Sequence, residues 1–225
     1  MKKSIFLICL FICQITLSQN IKTDYLLDPF GNKYEIDLLG AYSLHSKYPD
    51  YSIGFRIVKD SGMIHQKNVP TFLKYEVNYK KLKDSIEHIT SKKYSDSTIF
   101  IIDFQYINDN CSDSFSNNMT KGLISERKYF YKPIKKKIEK NNNIIFLVLF
   151  ENGIKLKNKP DSKKEYFYSD INSTFRNNLF LYSTLCGSSA IIKPDGSTLV
   201  HNGEYRPDHM ANHLKPEIWN SIFKE

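Results

Sequence analysis

"CGSSAIIKPDGSTLV", residues 186–200, is the stretch that decides the fold. Ser188–Ile192 reads as a strand, and Lys193-Pro194-Asp195-Gly196 supplies the turn after it. In that turn Pro presets φ and Gly accepts φ > 0. Ser197–His201 then returns as the second strand of a hairpin, which is antiparallel because so short a connection permits nothing else. Cys186 stands at the entrance to this hairpin. Beyond it, Asp208 precedes a helical stretch through Leu214 that ends near Pro216, with Ile218, Trp219 and Phe223 tucking the tail against the core.

Upstream, the pattern alternates. Tyr79, Leu82, Ile86 and Ile89 recur at three- and four-residue steps, as on one face of a helix. Thr98–Tyr106 (TIFIIDFQY) is β-branched and aromatic and reads as a buried strand. A polar stretch, Ile107–Thr120, carries Cys111. Pro133 is suited to the first position of a helix, where its missing N–H costs nothing, and Ile134 and Ile138 would give that helix its apolar stripe. Ile144–Phe150 is a second buried strand. Lys155–Lys164 is a charged loop. Ser169 or Asp170 is placed to cap a short helix carrying Ile171 and Phe175. Strands alternating with helices and ending in a hairpin predict an α/β fold: a partly parallel sheet flanked by helices, with antiparallel strands at one edge.

This order, together with the 186–200 segment, resembles the thioredoxin-like superfamily, and most closely its exported bacterial thiol–disulfide proteins. In that family a strand leads to a C-x-x-C loop at the start of a helix. Much later a cis-proline precedes a strand, a turn and a second strand. The resemblance covers about residues 77–214. It sets Cys111 at the first cysteine, Ser114 at the second (Cys111-Ser112-Asp113-Ser114) and Gly187 at the cis-proline. Cys186 then falls in a position that packs against the redox motif. The resemblance implies that Cys111 and Cys186 are neighbours in space and are the candidate catalytic residues, one attacking and one resolving. This sequence departs from the pattern in having no C-x-x-C, no tryptophan before Cys111 and no proline at 187.

The N-terminus reads as a secretory signal over residues 1–18, with Lys2 and Lys3, an apolar run from Ile5 to Ile12, and small residues at Thr16 and Ser18. It holds Cys9 and Cys13 and predicts an exported protein, periplasmic or secreted, in a compartment that permits disulfides. Residues 19–75 read as a small β-containing extension with a turn at Asp28-Pro29-Phe30-Gly31-Asn32, and 76–225 as the thioredoxin-like domain. No later segment is long and apolar enough to be a transmembrane helix, so no such anchor is expected in the mature chain.

The chain has 225 residues and a formal charge of +8. Its densest lysines are Lys132, Lys135, Lys136, Lys137 and Lys140, then Lys155, Lys157, Lys159, Lys163 and Lys164. Both groups read as solvated faces, and no nucleic-acid partner is expected. His209 and His213 stand four apart near His201, but the glutamate of H-E-x-x-H is missing, so no metal is expected. No G-x-S-x-G or Walker lysine occurs, and nine Gly give little material for a nucleotide cradle; no cofactor is expected. Glu204-Tyr205-Arg206-Pro207-Asp208 reads as a turn with a capping aspartate. The two cysteines leave three readings: an exchange centre with a protein thiol or disulfide as partner, a structural staple, or two buried free thiols. In the second and third, the chain is a non-catalytic binding or accessory domain that recognises its partner through the aromatic extension.

Overall fold

The computed structural model describes residues 25–35, 38–58, 62–111, 116–141 and 143–223. The signal at 1–18 and Ser114 lie outside the described residues.

The extension folds as a sheet with a helix beside it. Strands β1 (Tyr25–Leu27) and β2 (Lys33–Glu35) form a hairpin around the predicted turn. There the buried Asp28 carboxylate accepts the backbone N–H groups of Phe30 and Asn32, each at 2.9 Å. This is an Asx-type turn held by its own side chain. Helix α1 (Leu38–Lys47) follows, then β3 (Tyr51–Val58) and β4 (Gly62–Pro70), giving the strand order β2-β1-β4-β3.

Strand β5 (Phe72–Glu76) leaves that sheet and pairs antiparallel with β12 (Ser197–Asn202), Leu73 opposite Val200. The second sheet therefore takes in a strand from the segment read as extension, ahead of the expected boundary at residue 76. Helix α2 (Tyr79–Thr90) starts at Asn78, whose side chain accepts from the Lys81 N–H, and buries Leu82 and Ile86. Then come β6 (Ile99–Gln105), β7 (Asn118–Met119), helix α3 (Lys121–Ile138) and β8 (Ile144–Glu151). Strands β9 (Lys155–Leu156) and β10 (Phe167–Asp170), helix α4 (Thr174–Asn178) and β11 (Ser188–Ile192) follow, with β7 and β9 pairing in a separate two-stranded sheet.

The six-stranded order is β10-β8-β6-β11-β12-β5. Strands β10, β8 and β6 are parallel; β11, β12 and β5 continue antiparallel. Side chains of β6 alternate between faces. Phe100 meets Tyr79 and Tyr94 on the α2 side, and Phe104 stacks on Phe180 at 4.4 Å. Asp103 points the other way and meets Tyr131 of α3. Helices thus cover both faces, which is why β6 reads as a near-continuous apolar run.

Three local readings need correction. Pro133 does not open a helix: α3 begins at Lys121, capped by the Thr120 hydroxyl, and runs through Pro133. The apolar spacing of Ile124, Tyr131, Ile134 and Ile138 buries one stripe, and that burial outweighs the proline's missing hydrogen bond and its clash one turn back. Pro133 is exposed, so Pro133→Ala is expected to raise stability by about 2 kcal/mol; an unchanged urea midpoint would show the helix already relaxed around the ring. The second concerns the short helix: Asp170 ends β10 and its carboxylate caps α4 as expected, accepting the N–H of Arg176 in the first turn at 2.8 Å, but the helix begins at Thr174 and leaves Ile171 outside it. Phe175 is fully buried, and Ile171 is exposed. The third lies at the C-terminus. Helix α5 (Pro207–Met210) passes into a 3-10 turn at Ala211–Leu214, and Pro216 opens a further helix, α6 (Pro216–Phe223). Trp219 of α6 is buried and stacks on Phe223 at 4.5 Å.

Candidate functional site

Sheet register brings the two cysteines together. Strands β6 and β11 are antiparallel neighbours with Phe104 opposite Ser188. The chain leaving β6 therefore passes the chain entering β11. Cys111 sits on the first of these connections and Cys186 on the second, and the two form a disulfide with Cα atoms 5.0 Å apart, closing a separation of 75 residues. The bond lies beyond the carboxyl ends of β6 and β8, where open α/β sheets leave a crevice.

Gly187 occupies the position aligned with the cis-proline, but no cis peptide occurs among the described residues. Its role is close approach. Its φ is +79°, and a Cβ there would stand 2.6 Å from the Phe104 carbonyl oxygen. Cys186 beside it also has a positive φ, 67°. A side chain in that region carries about 1–2 kcal/mol of strain.

Asp109 joins the two connections. Its Oδ1 accepts the backbone N–H of Cys111 at 3.0 Å and of Cys186 at 3.2 Å, while Oδ2 has no hydrogen-bond partner among the described residues. Burial pushes its carboxyl above the ordinary range, against the pull of those backbone donors. Beneath lies a buried polar chain. Tyr131 donates to Asp103 at 2.6 Å, Gln105 donates to Asp103 at 2.7 Å, and Arg127 donates to Gln105 at 2.9 Å. Burial raises the Asp103 carboxyl to about 6, opposed by the Tyr131 and Gln105 hydrogen bonds and by the Arg127 charge. The sequence reading passed over these residues. The signal was present: Asp103 and Gln105 interrupt an apolar strand, and a buried polar group requires partners.

Two clefts flank the bond. One, of about 520 Å³, is lined by Cys111, Cys186, Arg127, Phe130, Tyr205 and Pro207. The other, of about 480 Å³, holds Cys186, Lys67, His45, His201 and Tyr205. In the segment read as a turn with a capping aspartate, Arg206 is the N-cap of α5 and no side chain caps the helix. Asp208 sits in the first turn of α5 and pairs with Arg206 and Lys137, while Glu204 and Tyr205 wall both clefts. Lys128, Lys135 and Lys137 of α3 pair with Glu165, Glu139 and Asp208. His201 stacks on Tyr205 at 4.2 Å, and His213 Nδ1 donates to the Met210 carbonyl at 3.1 Å. No helix among the described residues is long and apolar enough to cross a membrane.

No family model matches the chain, and no curated protein does. Among solved structures it is similar to MTB dsbF in its mixed oxidized and reduced forms, at 10% identity over 52% of this chain and 78% of that one, with a TM-score of 0.31. A secreted Mycobacterium tuberculosis disulfide oxidoreductase homologous to E. coli DsbE aligns at 9% identity over 52% and 79%, TM-score 0.30. The N-terminal domain of PilB from Neisseria gonorrhoeae aligns at 12% over 59% and 85%, TM-score 0.32. The strand order carries the fold independently of these distant likenesses. A strand leading to Cys111, a helix, a parallel strand, and a C-terminal antiparallel hairpin entered at Cys186 make this a thioredoxin-like fold.

Proposed function

We propose that this is an exported thiol–disulfide exchange protein whose centre is the Cys111–Cys186 pair. The observation that carries the reading is access: both cysteines line an open groove at the carboxyl ends of the parallel strands. In the reduced protein the Cys111 thiolate attacks a substrate disulfide, forming a mixed disulfide and expelling one substrate thiolate. The Cys186 thiolate then attacks Cys111 Sγ and expels the second. The substrate gains two electrons, and the protein is left with the Cys111–Cys186 bond. A protein thiol or disulfide is the partner. The groove beside Phe130, Tyr205 and Pro207 gives such a segment an apolar wall.

A second reading keeps the same fold with the bond as a staple in a non-catalytic binding domain. One observation favours it. Cys111 lies outside helix α3, which starts at Lys121, and its backbone is held by a buried acid, Asp109. A thiolate is normally stabilised by a helix N-terminus or a cation, and a carboxylate does the reverse. A redox titration of the intact protein, read by alkylation and mass, separates the two. Exchange chemistry expects a midpoint at about −120 to −270 mV and insulin reduction faster than a Cys111→Ser control. A midpoint below about −300 mV, with insulin reduction equal to the control, would leave the staple.

A further inference from the structure

The cleft on the extension side of Cys186 contains a cation without a counter-ion. Lys67, on β4, is only 1% exposed. Its ammonium donates to the Tyr51 carbonyl and lies 3.3 Å from His45 Nδ1. Among the described residues it forms no ion pair, although other buried or half-buried lysines here find carboxylates. A buried charge without an opposite charge is costly unless an anion arrives. His201 lines the same cleft. It is 7% exposed, is clamped between Tyr205 at 4.2 Å and Phe72 at 4.8 Å, and its Nδ1 has no hydrogen-bond partner among the described residues. These are two independent polar groups, each more than nine-tenths buried and each lining one cleft of about 480 Å³.

We infer that this cleft binds a monocarboxylate, with the Lys67 ammonium as its counter-ion and the His201 ring as a hydrogen-bond partner. The charge count selects the class. Burial takes His201 down to about 4, so its ring is neutral at pH 7 and Lys67 alone supplies positive charge at the buried end. Burial also lowers Lys67, which a bound anion would reverse. Glu204, exposed on the wall, repels multiply charged anions. Ile53, Leu185 and Tyr205 offer apolar surface for the body of the ligand. The carboxylate belongs to a small organic acid or to the C-terminus of a peptide. The site needs no turnover of the disulfide, so it goes beyond the exchange reading and stands apart from it.

Calorimetry on the intact oxidised protein, with no thiol present, tests this with two pairs of probes: 3-phenylpropionate against 3-phenylpropionamide, and the tripeptide Ala-Ala-Phe against its C-terminal amide. An acid is expected to bind at least tenfold more tightly than its amide. Binding by the tripeptide alone identifies a peptide C-terminus; binding by phenylpropionate as well identifies the small acid as sufficient. Lys67→Met is expected to abolish the acid–amide difference. Because that variant removes a buried side chain, a second readout uses the native protein: the titration of the Lys67 side-chain NMR signal should move to higher pH on saturation with the acid. Acid and amide binding alike, neither binding, undiminished acid binding by Lys67→Met, or an unmoved Lys67 signal would each overturn the assignment.

Discussion

Replacing Cys111 by Ser is expected to lower the unfolding free energy by about 4 kcal/mol, the loop-closure value for a bond of this span. The bond closes a separation of 75 residues, and opening it restores that chain entropy to the unfolded state. The loss should be largest for local order. Among the described residues, Asp109 and Tyr106 would then tie the 107–111 connection to the entrance of β11, through hydrogen bonds to Cys186 and Ser188. Urea unfolding of the native protein with and without reductant, beside Cys111→Ser, measures the effect. Cys186→Ser tests it from the other side, and the two single variants should lose equal amounts. A loss below about 1 kcal/mol would mean that the reduced, unfolded chain retains structure around these connections.

The second large effect concerns Arg127. Its guanidinium is buried at 8% exposure, donates to Gln105, and favours the charged forms of Asp103 and Asp109. Arg127→Met keeps most of the volume and removes the charge. At pH 7 the variant is expected to lose about 3 kcal/mol, the lower end for breaking a buried charge arrangement. The loss should shrink to about 2 kcal/mol at pH 5, because pH 7 lies one unit above the folded pKa of Asp103, about 6, and a unit is worth about 1.4 kcal/mol. The sign follows from Asp103. Its folded pKa, about 6, lies above its ordinary 3.8. The native state thus holds this proton more tightly than the unfolded one. The contribution of Asp103 to stability falls as pH rises from about 4 through 6. At pH 5, below its folded pKa, Asp103 in the native state is mostly neutral and needs Arg127 less. His201, with its folded pKa depressed to about 4, acts in the opposite direction, losing stability as pH falls below 6.5. It acts equally on both proteins and cancels in their difference. Equal losses at pH 5 and pH 7 would show that Arg127 works through packing of its stem rather than its charge.

The amino-acid sequence by itself determined the elements whose burial is one-sided or complete. TIFIIDFQY had to be a covered strand, IIKPDGSTLV had to turn on Pro194 and Gly196, and Leu82 and Ile86 had to share a helix face. Local spacing and turn chemistry are sufficient for these because the relevant contacts lie within a few residues. Where local preference and burial conflict, local reading fails. Pro133 argues for a helix start, yet the stripe from Ile124 to Ile138 carries the helix through it.

The site is the harder case. That Cys111 and Cys186 meet depends on β6 and β11 being antiparallel neighbours with Phe104 opposite Ser188, a pairing between segments far apart in the chain. Asp109, Arg127 and Tyr131 gather beneath them for the same reason, and Lys67 reaches the far side of Cys186 because β3, whose Ile53 lies opposite Lys67, pairs with the 183–185 segment that enters β11. Residue type announces which groups need a partner when buried. Which partner each finds is a matter of sheet order and register, and those are set by the collective packing of the whole chain rather than by any stretch of it.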